Sequence, residues 1–405
     1  MRRLAPVFLA AFALFSTACE KKSQAPSSGA APQASQPASG AAPASSDTLL
    51  LGEVVSITGS QATFGVSTRN GVDMAVAEAN AEGGVNGKKV AVKVLDDQSK
   101  PEEAAQSVTR LITQDKVVLI LGEVSSSGSM AMAEKAQAAG VPMISHAATN
   151  PGVTQKGDYI FRVCFIDPFQ GYVMAKFARE DLSLSQVAIL QDTKSDYSSG
   201  LTEVFTHEFT QLGGRISTVQ SYAQGDTDFR AQLTAIKQAR PQALYIPGYY
   251  TDVGLIARQA REVGLTATLL GSDGWDAETL YELGGAALEG SYFTNPYALD
   301  SPEPRMKKFI ADYQALYGSM PDTSSVLAYE ATQVAVDALA RAPDWSGPAL
   351  RDTLARTRNF PGIGGPITLD ANRNATKPAV VVRIHDGKAG FVKTIHPPAS
   401  TPAAP

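Results

Sequence analysis

LLLGEVVSITGSQATFG, residues 49–65, contains the pattern that decides the fold. Leu49 to Ile57 is a near-continuous apolar run, as expected of a parallel strand buried on both faces. It ends in Thr58-Gly59-Ser60, small residues that turn the chain before the next segment begins. The order recurs downstream. Val90–Leu95, Val117–Leu121, Val141–Ser145, Val187–Leu190, Ala243–Ile246 and Leu269–Leu270 read as further strands, with late ones near Ile367–Leu369 and Ala379–Ile384. Between them lie amphipathic helices. Val253, Ile256, Ala257, Ala260 and Val263 form one stripe, and Met306, Phe309, Ile310, Tyr313 and Leu316 another. Pro101 ahead of Glu102-Glu103 marks a helix start, where proline loses nothing and acids suit the dipole. Strand–helix alternation over this length predicts a doubly wound α/β fold, with helices in succession after Tyr297.

Sheets of this kind bind ligands beyond the carboxyl ends of their strands. Three of those loops are small and rich in hydroxyls: Thr58 to Gly65, Gly122 to Gly128, and His146 to Pro151. Each precedes a helix, so each offers backbone N–H groups and Ser/Thr hydroxyls to an anion. Plain helix capping by Ser127 and Thr149 accounts equally for any single loop. Three on neighbouring strand ends favour a binding cleft.

The ends of the chain carry different information. Met1-Arg2-Arg3, the apolar run Leu4–Phe15 and the small residues before Cys19 follow the order of a secretory signal, with residues 1–19 as the leader. Residues 20–48 are almost wholly Ala, Ser, Pro, Gly, Gln and Lys and predict a disordered tether, as residues 397–405 predict a frayed tail. What remains is long enough for two domains with separate cores. With 44% hydrophobic residues and a net charge of −5, nothing marks a nucleic-acid binder or a basic membrane face. The two cysteines are Cys19 and Cys164; the second, in an apolar setting, reads as a buried hydrophobe.

TGSQATFG (58–65), NAEGGVNGKKV (80–90), LDDQSKPEEA (95–104), GEVSSSGS (122–129), PMISHAATNPGVT (142–154), YIFRVCFIDPFQG (159–171), DTKSDYSSG (192–200) and LLGSDGWD (269–276), in this order and spacing, resemble the type I periplasmic binding proteins of the leucine/isoleucine/valine class. The resemblance covers nearly all of 49–391. It implies two α/β lobes joined by crossing strands, one of residues 49–166 plus 298–376 and the other of 167–297 plus 377–396. It implies a branched-chain or related amino acid clamped between them by hinge closure, delivery to an ABC permease and ATPase complex, no cofactor or metal, and a monomer. Carried over by motif, Ser126 and Thr149, with backbone groups of Val124 and Ser125, answer the ligand's carboxylate. The Ala147 carbonyl and Asp273 answer its ammonium. Phe64, Tyr197 and Tyr249 form the pocket walls, and Trp275 covers the pocket. Cys19, at the cleavage point, resembles a lipoprotein's lipidated cysteine, which implies a periplasmic or surface protein held to a membrane by a lipid anchor. An ordinary soluble secretory signal is the alternative there, and Ser16 stands where Leu is usual.

The departures are specific. The best-known amino-acid binders of the family carry Glu where Asp273 stands, Phe64 lacks the hydroxyl of a Tyr, and a disulfide present in some members has no counterpart here. The class also includes binders of amides, urea and aromatic acids, and sensory subunits that signal rather than deliver. A catalytic reading finds no support in the sequence: G-x-S-x-G, G-x-x-x-x-G-K-[ST] and H-E-x-x-H are absent, and His146, His207, His385 and His396 lack metal-ligand spacing.

Overall fold

The structure, a computed structural model, describes residues 47–397; the leader, Cys19, most of the expected tether and most of the tail lie outside the described residues. Fourteen strands follow one another as β1 (Thr48–Val55), β2 (Lys89–Asp96), β3 (Ile120–Leu121), β4 (Met143–Ser145), β5 (Ile160–Arg162), β6 (Gln186–Asp192), β7 (Arg215–Tyr222), β8 (Ala243–Tyr245), β9 (Thr268–Gly271), β10 (Tyr292–Asn295), β11 (Phe360–Gly362), β12 (Gly365–Ile367), β13 (Ala379–His385) and β14 (Lys388–Ile395). The helices are α1 (Ala62–Ala81), α2 (Pro101–Arg110), α3 (Ser126–Ala139), α4 (Gly152–Gln155), α5 (Asp167–Lys176), α6 (Asp196–Gln211), α7 (Arg230–Gln238), α8 (Tyr250–Glu262), α9 (Glu278–Gly284), α10 (Pro304–Tyr317), α11 (Thr323–Arg341) and α12 (Gly347–Ala355). Among the described residues, no helix is long and apolar enough to cross a membrane.

Two sheets organise the molecule. The first runs β2-β1-β3-β4-β5, parallel throughout. In the second, β7-β6-β8-β9-β10 are parallel and repeat that order, and the antiparallel pair β13-β14 extends the β10 edge. In both, the chain reverses its direction across the sheet at the first strand, leaving a crevice between β1 and β3 and another between β6 and β8. Ligands collect outside the carboxyl ends of strands at such points. Five strands escaped the sequence reading, among them β11, a three-residue arm of a hairpin. β5 has only three residues, β10 four, and β7 and β14 are edge strands whose mixed burial hides their period.

The chain passes between the sheets after β5, after β10 and before β13. Arg162, fully buried, secures one of these passages: its guanidinium donates to the carbonyls of Ala148 (2.7 Å) and Asn150 (2.8 Å), and its Nε to Asn374 Oδ1 (2.9 Å). Lys377, also buried, pairs there with Glu330 and donates to Tyr297 (2.6 Å). Cys164 is buried beside them and its thiol is pushed up to about 12 by loss of water, so it stays an unreactive thiol.

Helix α11 returns from a distant part of the sequence to lie against α1, and both pack onto the first sheet. Gly71 permits the approach, since a methyl there would stand 2.2 Å from the Ser325 carbonyl oxygen. Gly71→Ala should therefore separate the helices and destabilise the fold by about 1–3 kcal/mol. Chemical denaturation checks this; an unchanged midpoint would mean the helices have room to part.

Candidate ligand-binding site

The carboxyl ends of the two sheets face each other. A narrow cleft, with about 30 Å³ of free space as the lobes stand, lies between them, walled by Phe64, Val124, Ala147 and Thr149 from the first sheet's side and Tyr197, Tyr249, Asp273 and Gly274 from the second's. A larger hollow opens around the half-buried Arg373 and the buried Lys377, but both cations are already partnered.

Asp273 lies at the end of β9, in a short turn that aims its carboxylate into the cleft. Oδ1 accepts a hydrogen bond from the Tyr197 hydroxyl (2.6 Å), whose oxygen in turn accepts from the Gly274 N–H (2.9 Å). The Asp273 backbone N–H is held by Gln170 Oε1 (2.8 Å). Removal from water pushes the Asp273 carboxyl up to about 6, against the opposing pull of these hydrogen bonds. At neutral pH it is an anion with a fixed direction, able to receive a cationic group.

The walls are aromatic. Tyr197 stacks on Tyr249, centroids 4.9 Å apart and planes 16° from parallel. Phe64, from the first turn of α1, meets Tyr249 and Tyr250 edge-on at 6.4 and 4.8 Å. One side chain of the first lobe thus completes the aromatic cluster of the second. Polar contacts also cross the gap. Thr251 Oγ1 donates to the Ser60 carbonyl (2.6 Å), Gln224 to the Ser60 hydroxyl (2.9 Å), Ser127 to Asp196 (2.7 Å), and Thr63 N–H to the Tyr250 hydroxyl (3.0 Å). The lobes stand closed.

Three expected residues have partners within the protein. Trp275 is a correction: it is fully buried, its indole N–H donates to the Ile246 carbonyl (3.0 Å), and its ring fills the space over Gly271, where a Cβ would come within 2.1 Å. It supports the floor of the second lobe rather than covering the pocket. Ser126 is also fully buried, and its hydroxyl accepts from the Asn150 N–H (3.2 Å), which holds the loop carrying Thr149. Ser125 caps α3, and its backbone N–H donates to Glu123 Oε2 (2.7 Å), an internal carboxyl where an external anion was expected. Glu123 is buried near Asp97, with the Ser56 hydroxyl between them, and is pushed up to about 8, so it is largely neutral at pH 7. Burial also holds the His146 imidazole down to about 3, bonded to Thr68 (3.2 Å), which removes it as a base.

The cleft has five lining residues that the sequence reading did not assign to it: Gly274, Asp276, Thr323, Ser324 and Leu327. Gly274 and Asp276 follow Asp273 in the same turn, within the quoted LLGSDGWD. The others form the start of α11, capped by Asp322, whose carboxylate accepts from Ser325 N–H (3.0 Å). The cap is visible in PDTSS as a helix start, but nothing local says that this helix end enters the cleft.

The periplasmic binding protein family model matches residues 48–389. A Leu/Ile/Val-binding protein homolog of Brucella abortus is 30% identical over 347 residues, 84% of this chain and 92% of the relative. Among solved structures, a leucine binding protein LivK from Thermotoga maritima is 39% identical with a TM-score of 0.83, covering 86% of this chain and 99% of its own. The branched-chain amino acid transporter substrate binding protein LivJ of Streptococcus pneumoniae, in complex with isoleucine, is 33% identical with a TM-score of 0.82, covering 86% and 100%. The Tyr197 hydroxyl lowers the affinity of Asp273 for its proton. Tyr197→Phe should therefore keep the aromatic stack but move the Asp273 carboxyl above about 6, as read by NMR titration; an unmoved or lower value would break this link.

Proposed function

The chain belongs to the periplasmic binding protein family, and on that premise we propose that it is the extracytoplasmic solute-binding protein of an ABC importer, clamping one free amino acid between its lobes. The observation that carries this reading is the position of Asp273. An acid held half-buried in a water-poor aromatic cleft needs a cation, and an α-ammonium supplies one with its hydrogen-bond donors. Thr149 lines the cleft from the other lobe, where its hydroxyl is the partner for a carboxylate. An aromatic acid, which the family also accommodates, has no ammonium for Asp273. Lipidation at Cys19 would keep such a protein beside its permease and ATPase.

The first test is calorimetry. Asp273→Ala should leave the fold intact and weaken amino-acid binding by about 3 kcal/mol, roughly a hundredfold. The pH dependence has a definite sign. In the empty protein Asp273 takes up a proton below about 6, and the bound ammonium requires it ionised. Affinity should be flat above that value and fall about tenfold per pH unit well below it. Unchanged affinity in Asp273→Ala would remove the acid from the site.

A further inference from the structure

Besides Asp273 the cleft has a second acid, at the end of the same turn, and two hydroxyls at the start of α11. Asp276 is 9% exposed, and its Oδ2 is committed, accepting from Asn295 Nδ2 (2.9 Å) and from the Thr323 N–H (3.0 Å). Its Oδ1 accepts no hydrogen bond from any described residue. Thr323, 5% exposed, lines the same wall, and its Oγ1 is enclosed without a hydrogen-bond partner among the described residues. Ser324, 6% exposed, adds a second hydroxyl beside it, and Leu327 closes the end of the space.

An apolar side chain pushed against this wall would strip water from the Asp276 carboxylate, leave the enclosed Thr323 hydroxyl without a partner, and return nothing. Buried polar groups left in that condition are penalised more heavily than hydrophobic contact of a methyl or two can offset. A ligand atom bearing O–H or N–H satisfies both: it donates to Asp276 Oδ1 and accepts from, or donates to, Thr323. Sites built to hydrogen-bond a ligand's polar group discriminate against the isostere lacking it far more strongly than apolar pockets discriminate by size. We propose that this wall selects the ligand's side chain, and that the protein takes a short amino acid whose side chain ends in a hydrogen-bond donor in preference to an aliphatic one. The inference rests on the amino-acid reading of the site and narrows it; Asp273 answers the ammonium, and Asp276 with the first turn of α11 answers the side chain.

Two near-isosteric pairs isolate the effect: threonine against valine, and asparagine against leucine. Calorimetry on the full, ligand-free protein should give the polar member of at least one pair an affinity about tenfold or more above its apolar partner. Thr323→Val, which keeps shape and the backbone N–H that Asp276 holds, should narrow that ratio. Asp276→Asn retains a carbonyl for the two existing bonds but presents an N–H₂ to the ligand, and should narrow it further; circular dichroism verifies that both variants fold. Valine and leucine binding as well as, or better than, threonine and asparagine would overturn the inference while leaving the clamp standing. A polar preference that neither variant alters would remove this wall as its cause. Binding of none of the four, nor of any other amino acid, would instead count against the amino-acid reading itself.

Discussion

A zwitterion that leaves water needs a partner for each of its charged ends, and a cleft between two sheets can supply them from opposite sides. That constraint organises this molecule. Each sheet reverses its strand order once, so each has one crevice at its carboxyl edge, and the two crevices face each other. Asp273, its proton affinity raised by burial, is usable as an anion at neutral pH because Tyr197 and Gln170 fix and stabilise it. The stacked tyrosines and Phe64 exclude the water that would otherwise screen the pair. Neither lobe alone presents all of these groups.

Closure follows from the same arrangement. The contacts across the gap, such as those of Ser60 with Thr251 and Gln224 and of Ser127 with Asp196, are mostly part-buried or exposed hydrogen bonds between small side chains. Individually such bonds contribute about 0.5–1.5 kcal/mol net. They bias a hinge without locking it, and a ligand that touches both lobes has the differential affinity needed to move it. The passages between the sheets are built differently. Arg162 and the Lys377–Glu330 pair are buried, and removing one partner would leave a charge stranded, so the frame around the hinge stays fixed while the lobes turn.

Much of this was legible in the sequence, and the rest was hidden for physical reasons. The buried parallel strands announce themselves because both faces are apolar, as in Leu49–Val55 and Val187–Leu190. The edge strands β7 and β14 do not, because one face meets water and their period is broken. In the cleft, the residues found at strand ends by motif, Phe64, Thr149, Tyr197, Tyr249 and Asp273 among them, stand together. Trp275 went astray because adjacency to Asp273 in sequence says nothing of which way a short turn points its side chains; the void above Gly271 took the indole. Thr323 and Ser324 were missed because they reach the cleft only through the packing of α11 on α1, a contact spanning some 250 residues of sequence that no local pattern encodes.

The central claim is that a free amino acid is held by both lobes at once. Small-angle scattering of the ligand-free protein, before and after saturation with an amino acid that binds by calorimetry, tests it most directly. A clamp predicts a smaller radius of gyration in the bound state, with the bound curve matching the closed arrangement described here. Superimposable curves, with the unbound protein open in both, would mean that the ligand engages one lobe only, and would contradict the account.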